Sequence, residues 1–145
     1  MNLPVKNKLF NVEEANMLLP EIRTILDEFK DRKKMFFELK QEILELTEIV
    51  NSEEYRSEEL SKKERILRAT SKEIENLFEE IAELGCVVKD IDNGLVDFIS
   101  IFQGKKVFLC WKQGEKFVSW YHDMHTGFTG RKKISDPGEF KNILI

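Results

Sequence analysis

Residues Leu84–Phe102 read LGCVVKDIDNGLVDFISIF, and the spacing of apolar side chains changes inside them. Before Gly85 apolar residues recur every three or four positions; after it they fall into short runs and alternations. A glycine at such a boundary ends a helix in the left-handed conformation that other residues resist. CVVKDI then reads as a strand, Asp92-Asn93-Gly94 as a turn, and LVDFISIF as a second strand. Helices first and strands after is the order of an α+β fold.

Upstream of Gly85 lies a heptad run with Leu60, Leu67, Ile74 and Ile81 at one seam position, and Leu77 and Leu84 at the other. Lys63 and Thr70 are its weak places, and TSKE (Thr70–Glu73) has the form of a capping box that allows a break. An earlier heptad carries Ile22, Phe29, Phe36, Ile43 and Val50, with Ile25, Leu39 and Leu46 in the second register and only Arg32 breaking it. The polar stretch NSEEYRSEE (51–59) joins the two. Matched helices with a short connector predict a long antiparallel, coiled-coil-like helical hairpin. At its front, Asn11 and Glu14 have capping-box spacing, and Phe10 and Ala15 occupy the flanking staple positions. Pro20 is expected to break or kink the pattern, which leaves a short capping helix ahead of the hairpin.

Downstream, Gln103-Gly104 is a tight turn, KKVFLCW a strand, KQGE a turn, and KFVSWYH a strand. The expected sheet is therefore an antiparallel β-meander of about four strands. The tail holds an Asp136-Pro137-Gly138 turn, and its apolar end, Ile143-Leu144-Ile145, is expected to dock on the sheet or on a second subunit. The division expected is residues 1–84 helical and 85–145 sheet, glycine loop and tail, folding as one unit.

Register decides which side chains share a face. A two-residue turn at Gln103-Gly104 sets Asp97 opposite Cys110 and Val96 opposite Trp111. An even-membered turn at Gln113-Gly114 would then place Val118, Trp120 and His122 on the face of Trp111, away from Asp97 and Cys110.

The net charge is −4, with −6 in residues 1–84 and +2 in residues 85–145. An acidic helical part argues against general nucleic-acid binding, which needs clustered cations. No run approaches the ~20 apolar residues that span a bilayer, and the N-terminus has no apolar signal core, so a cytoplasmic protein is expected. Two isolated cysteines, Cys86 and Cys110, make no disulfide framework.

Chemistry concentrates in Tyr121–Arg131, YHDMHTGFTGR. His122, Asp123 and His125 are a partial ligand set for a divalent transition metal; the plainer alternative is a strand end with a solvated His125. Gly127, Gly130 and Arg131 suit an anion cradle; the plainer alternative is a turn whose Arg131 pairs within the fold. Cys110 as a nucleophile is disfavoured, because a nearby carboxylate raises a thiol pKa. Asp97, inside an apolar strand, demands a partner such as Arg131 or a backbone group.

FNVEEANMLLP, ELGCVVKDIDNGLVDF, LCW and WYHDMHTGFTGR together resemble a mainly prokaryotic uncharacterised family, domain of unknown function 2203. The resemblance carries Asp90, Gly94, Asp97, Phe98, Trp111, His122, Gly127, Phe128, Gly130 and Arg131. Ile99 stands where that family often has proline, and Tyr121 where it often has tryptophan, with Trp120 one place earlier. The resemblance implies the architecture and a place for a site, without an activity.

Two functions follow as expectations. One is a scaffold that self-associates through its helices, as a homodimer or with a protein partner. The other is a small-ligand or metal-binding domain, with or without catalysis. Its site would comprise Asp90, Asp97, Trp111, Trp120, His122, Gly127, Phe128, Gly130 and Arg131.

Overall fold

A computed structural model describes residues 8–49 and 54–144. Helices α1 (Val12–Ile49) and α2 (Glu54–Glu83) precede six strands: β1 (Val87–Asp90), β2 (Leu95–Phe102), β3 (Lys105–Lys112), β4 (Trp120–Asp123), β5 (Lys132–Lys133) and β6 (Phe140–Lys141). The α+β order holds. The chain forms two compact units, residues 8–26 with 79–144 and residues 27–78.

Within residues 27–78 the helices run antiparallel. Phe29 meets Phe78 with ring centroids 5.4 Å apart, Arg32 meets Glu73 at 2.5 Å, and Lys63 meets Glu42 at 2.5 Å. Arg32 and Lys63, which break the heptads, therefore answer carboxylates on the opposite helix. The break allowed at Thr70 does not occur. Its hydroxyl donates to the Ile66 carbonyl at 2.8 Å, one helical turn back, and this lets a polar side chain be buried there. Helix α2 also begins at Glu54, inside the stretch expected as connector. Val50, placed on the first seam, lies outside the described residues.

In the unit of residues 8–26 and 79–144, the capping box forms as read. The Glu14 amide donates to Asn11 Oδ1 at 2.8 Å, and the Asn11 amide donates to Glu14 Oε1 at 3.0 Å. Phe10 and Ala15 are fully buried beside it. No separate capping helix exists, because α1 runs through Pro20 without a break. Proline removes one helical donor. Pro20 is exposed, while Leu19 and Ile22 on either side of it are buried, so packing holds the helix together. Gly85 ends the helical segment with φ +90° and donates to the Ala82 carbonyl at 3.0 Å.

The sheet order is β1-β2-β3-β4-β5, antiparallel throughout, and β6 pairs with β2. It has six strands rather than four. The Gln103-Gly104 turn produces the expected register, with Phe102 opposite Lys105 and Asp97 opposite Cys110. The next connection departs from expectation. Strand β4 starts at Trp120, not Lys116, because the preceding backbone bonds to α1. The Val118 amide donates to Asn16 Oδ1 at 2.7 Å, and Arg23 Nη2 donates to the Lys116 carbonyl at 2.8 Å. Cys110 then faces Trp120 and Phe108 faces His122. The connection is odd-membered, so the parity of β4 reverses.

Within this unit one sheet face packs on residues 10–26, which include the start of α1. Phe98 meets Phe10 edge-on at 5.2 Å, and the Arg23 guanidinium lies 5.7 Å from the Trp111 ring. Val96, Phe98, Leu109 and Trp111 are completely buried there, each contributing on the order of 2 kcal/mol of transfer free energy. The tail docks through Phe140, stacked on Phe102 at 4.6 Å, while Ile143 and Leu144 beyond it stay exposed.

Candidate functional site

The opposite face collects the polar groups. Strand β2 supplies Asp97, β3 Cys110 and β4 His122, all three buried. One ligand atom from each lies within 4.8 Å of the other two. His122 Nε2 meets Asp97 Oδ2 at 3.1 Å, and Nδ1 meets the Asp123 carbonyl at 2.8 Å. A carbonyl only accepts, so Nδ1 carries the proton. That leaves Nε2 directed at the carboxylate.

This overturns the expected parity in two ways. Trp111, Trp120 and His122 do not share a face: Trp111 is on the helix side, with its indole N–H donating to the Glu115 carbonyl at 2.9 Å. The partner of Asp97 is His122, not Arg131 or a backbone cap.

Asp97 is incompletely satisfied. Oδ1 is buried and receives no hydrogen bond. Burial pushes its carboxyl pKa above the ordinary value, opposed first by His122 and then by the Cys110 thiol. Burial, followed by the Asp97 charge, pushes the Cys110 thiol up to about 12. His122 cannot relieve it, since both ring nitrogens are engaged. Cys110 is therefore no activated nucleophile.

Arg131 covers the cluster. Its Nη1 and Nη2 donate to the two Glu115 carboxylate oxygens at 3.1 and 2.5 Å, and Nη1 lies 4.0 Å from Cys110 Sγ. The guanidinium is 4.1 Å from the Phe128 ring centroid and 4.8 Å from that of Trp120. Glu115 also accepts the Lys112 amide at 2.8 Å, which ties the β3–β4 connection to the same carboxylate. Arg131 thus forms an internal ion pair with Glu115. Reading the sequence missed Glu115, although a lone carboxylate inside KQGEK was its signal.

The remaining candidates serve turns. Asp123 Oδ1 accepts the His125 and Thr126 amides at 2.8 and 2.7 Å, and those bonds hold its carboxyl below the ordinary range. His125 is exposed, and the set His122, Asp123, His125 does not converge. Asp90 binds the Asn93 side-chain amide at 2.7 Å and its backbone amide at 3.1 Å, outside the cluster. Gly127 precedes, and Gly130 ends, a single 3-10 turn at Phe128–Gly130. A Cβ at Gly130 would lie 2.7 Å from that of Thr126.

A family model described as Uncharacterized conserved protein (DUF2203) matches residues 8–134, which include every residue of this cluster. No curated protein and no solved structure matches the chain.

Proposed function

The chain belongs to the DUF2203 family of uncharacterised conserved proteins, and from that premise we propose that it works by association, pairing with a second copy of itself through the helical hairpin of residues 27–78. The observation that carries this reading is the incomplete cover of the seam. Phe29, Leu39 and Leu77 are buried, but Phe36, Ile43, Leu46, Leu60, Leu67 and Ile74 stay half-buried. Two helices alone cannot enclose so wide an apolar stripe, whereas two hairpins packed as a four-helix bundle can.

Phe37 and Leu44, seven residues apart and therefore on one side of α1, are 56% and 55% exposed. Among the described residues no helix is long and apolar enough to cross a membrane. Two free buried thiols suit a reducing compartment, and we read the protein as cytoplasmic.

Light scattering on size-separated protein across a concentration series tests the pairing. Wild type should reach twice the chain mass. Phe37→Glu with Leu44→Glu should halve it at unchanged helical circular dichroism, because both side chains are exposed and their replacement does not disturb the hairpin itself. A wild type that stays monomeric at every concentration overturns the reading. The second reading, a binding domain, is favoured by the buried Asp97, Cys110 and His122.

A further inference from the structure

We propose that Asp97, Cys110 and His122 form a buried site for one divalent transition metal ion of the zinc class, independent of whether the helices self-associate. Each residue offers the right atom. A thiolate, an imidazole nitrogen and a carboxylate oxygen are together a borderline-soft set, preferred by zinc and cobalt over magnesium or calcium. The three come from adjacent strands, so the sheet positions them.

Two details go beyond proximity. The first is the tautomer. The Asp123 carbonyl holds the proton on His122 Nδ1 at 2.8 Å, which leaves Nε2 as the ligating nitrogen. A backbone carbonyl behind the imidazole is the support that metal-bound histidines use. The second is the orphan oxygen. Asp97 is 1% exposed, and its Oδ1 has no hydrogen bond. A carboxylate oxygen left in that state carries a desolvation cost, which the Cys110 thiol beside the carboxylate offsets only in part. An ion bonded to Asp97 would satisfy it.

Charge accounts for the valence. Without metal, one proton is held between His122 Nε2 and Asp97, and a second is on the Cys110 sulfur. The cluster is then neutral overall. A divalent ion displaces both protons to solvent and bonds to the thiolate, the carboxylate and neutral His122. The cluster is again neutral, so burial does not oppose the exchange as it would for a single charge. Arg131 lies 4.0 Å from Cys110 Sγ and adds no net charge, since Glu115 neutralises it.

Geometry sets one requirement. Tetrahedral bonds of about 2.0–2.3 Å place ligand atoms roughly 3.3–3.8 Å apart. The cluster spans up to 4.8 Å, so the side chains must draw inward as the ion enters. Three protein ligands leave a fourth position for solvent or a small ligand.

Cobalt(II) titration of untagged, chelator-treated protein is the test. One ion per chain should bind, with a near-ultraviolet thiolate-to-cobalt charge-transfer band and release of two protons. Zinc should displace it and abolish the band. Cys110→Ser should lose the band and weaken zinc binding by more than the roughly 10–100-fold that loss of a mere outer-shell partner costs, while His125→Ala should match wild type. Folded wild-type protein that shows no stoichiometric ion, or no thiolate band, overturns the proposal even if every variant misfolds. Loss of the ion in His125→Ala would assign it to the exposed loop and overturn the proposal equally.

Discussion

Asp97 and His122, 25 residues apart in the chain, meet at 3.1 Å with both side chains almost fully buried. Removing one partner leaves the other alone in a poorly solvated place. In chelator, His122→Ala should cost about 3–5 kcal/mol in urea unfolding. Asp97→Asn should cost less, about 1–3 kcal/mol. The double variant should cost less than the two together, which a double-mutant cycle would read as coupling. Additive losses would mean that the pair is not a unit.

Gly94 and Gly104 both have positive φ, +66° and +77°, but differ in surroundings. A Cβ on Gly94 would lie 2.5 Å from the Cβ of Gln113, whereas nothing lies within 4 Å of one on Gly104. Gly104→Ala should cost about 1 kcal/mol from backbone strain alone. Gly94→Ala should cost roughly twice that or more, because the β1–β2 turn must also move off Gln113. Thermal unfolding of the two variants would rank them.

The Arg131–Glu115 pair depends on a planar fork that fits a carboxylate and also lies over two rings. Arg131→Ala should destabilise by about 1.5–3 kcal/mol. Arg131→Lys should recover less than half of that, since an ammonium cannot make both bonds while stacked. Tryptophan emission should shift to the red in both variants as Trp120 gains solvent. Full recovery by lysine would show that charge alone matters.

Asp90 ends β1, and the Asn93 donors of the turn that follows, side chain first and backbone second, hold its carboxyl pKa below the ordinary value. A depressed folded pKa stabilises above the unfolded value, near 4. That contribution is lost as pH falls from about 4 through the folded value. Asn93→Ala should therefore narrow the gap between acid and neutral stability, measured as unfolding midpoints at both pH values. An unchanged gap would remove Asp90 from the acid response.

Most of the architecture was legible because it rests on periodicity. The heptads from Ile22 and from Leu60 identified both helices, and Asn11 with Glu14 identified where the first begins. Strands β2 and β3 came with their register, because Gln103-Gly104 admits only a two-residue turn. Pro20 misled because buried neighbours outweigh one lost hydrogen bond. Strands β5 and β6 have two residues each, too few for a period to show.

The cluster was hidden for a different reason. Asp97, Cys110 and His122 stand on three strands, so their meeting depends on two registers at once. The first was right. The second failed because Asn16 and Arg23, about a hundred residues earlier, hold the backbone before Trp120 away from β3. Nothing local to Gln113-Gly114 reports a helix side chain arriving from elsewhere.

That connection also limits how the chain can change. A slip of β4 by one residue against β3 would turn Tyr121 toward Asp97 and carry His122 to the other face of the sheet. The hold of Asn16 and Arg23 on Lys116 and Val118 stands against that slip, so the candidate cluster depends on two helix side chains that touch none of its members.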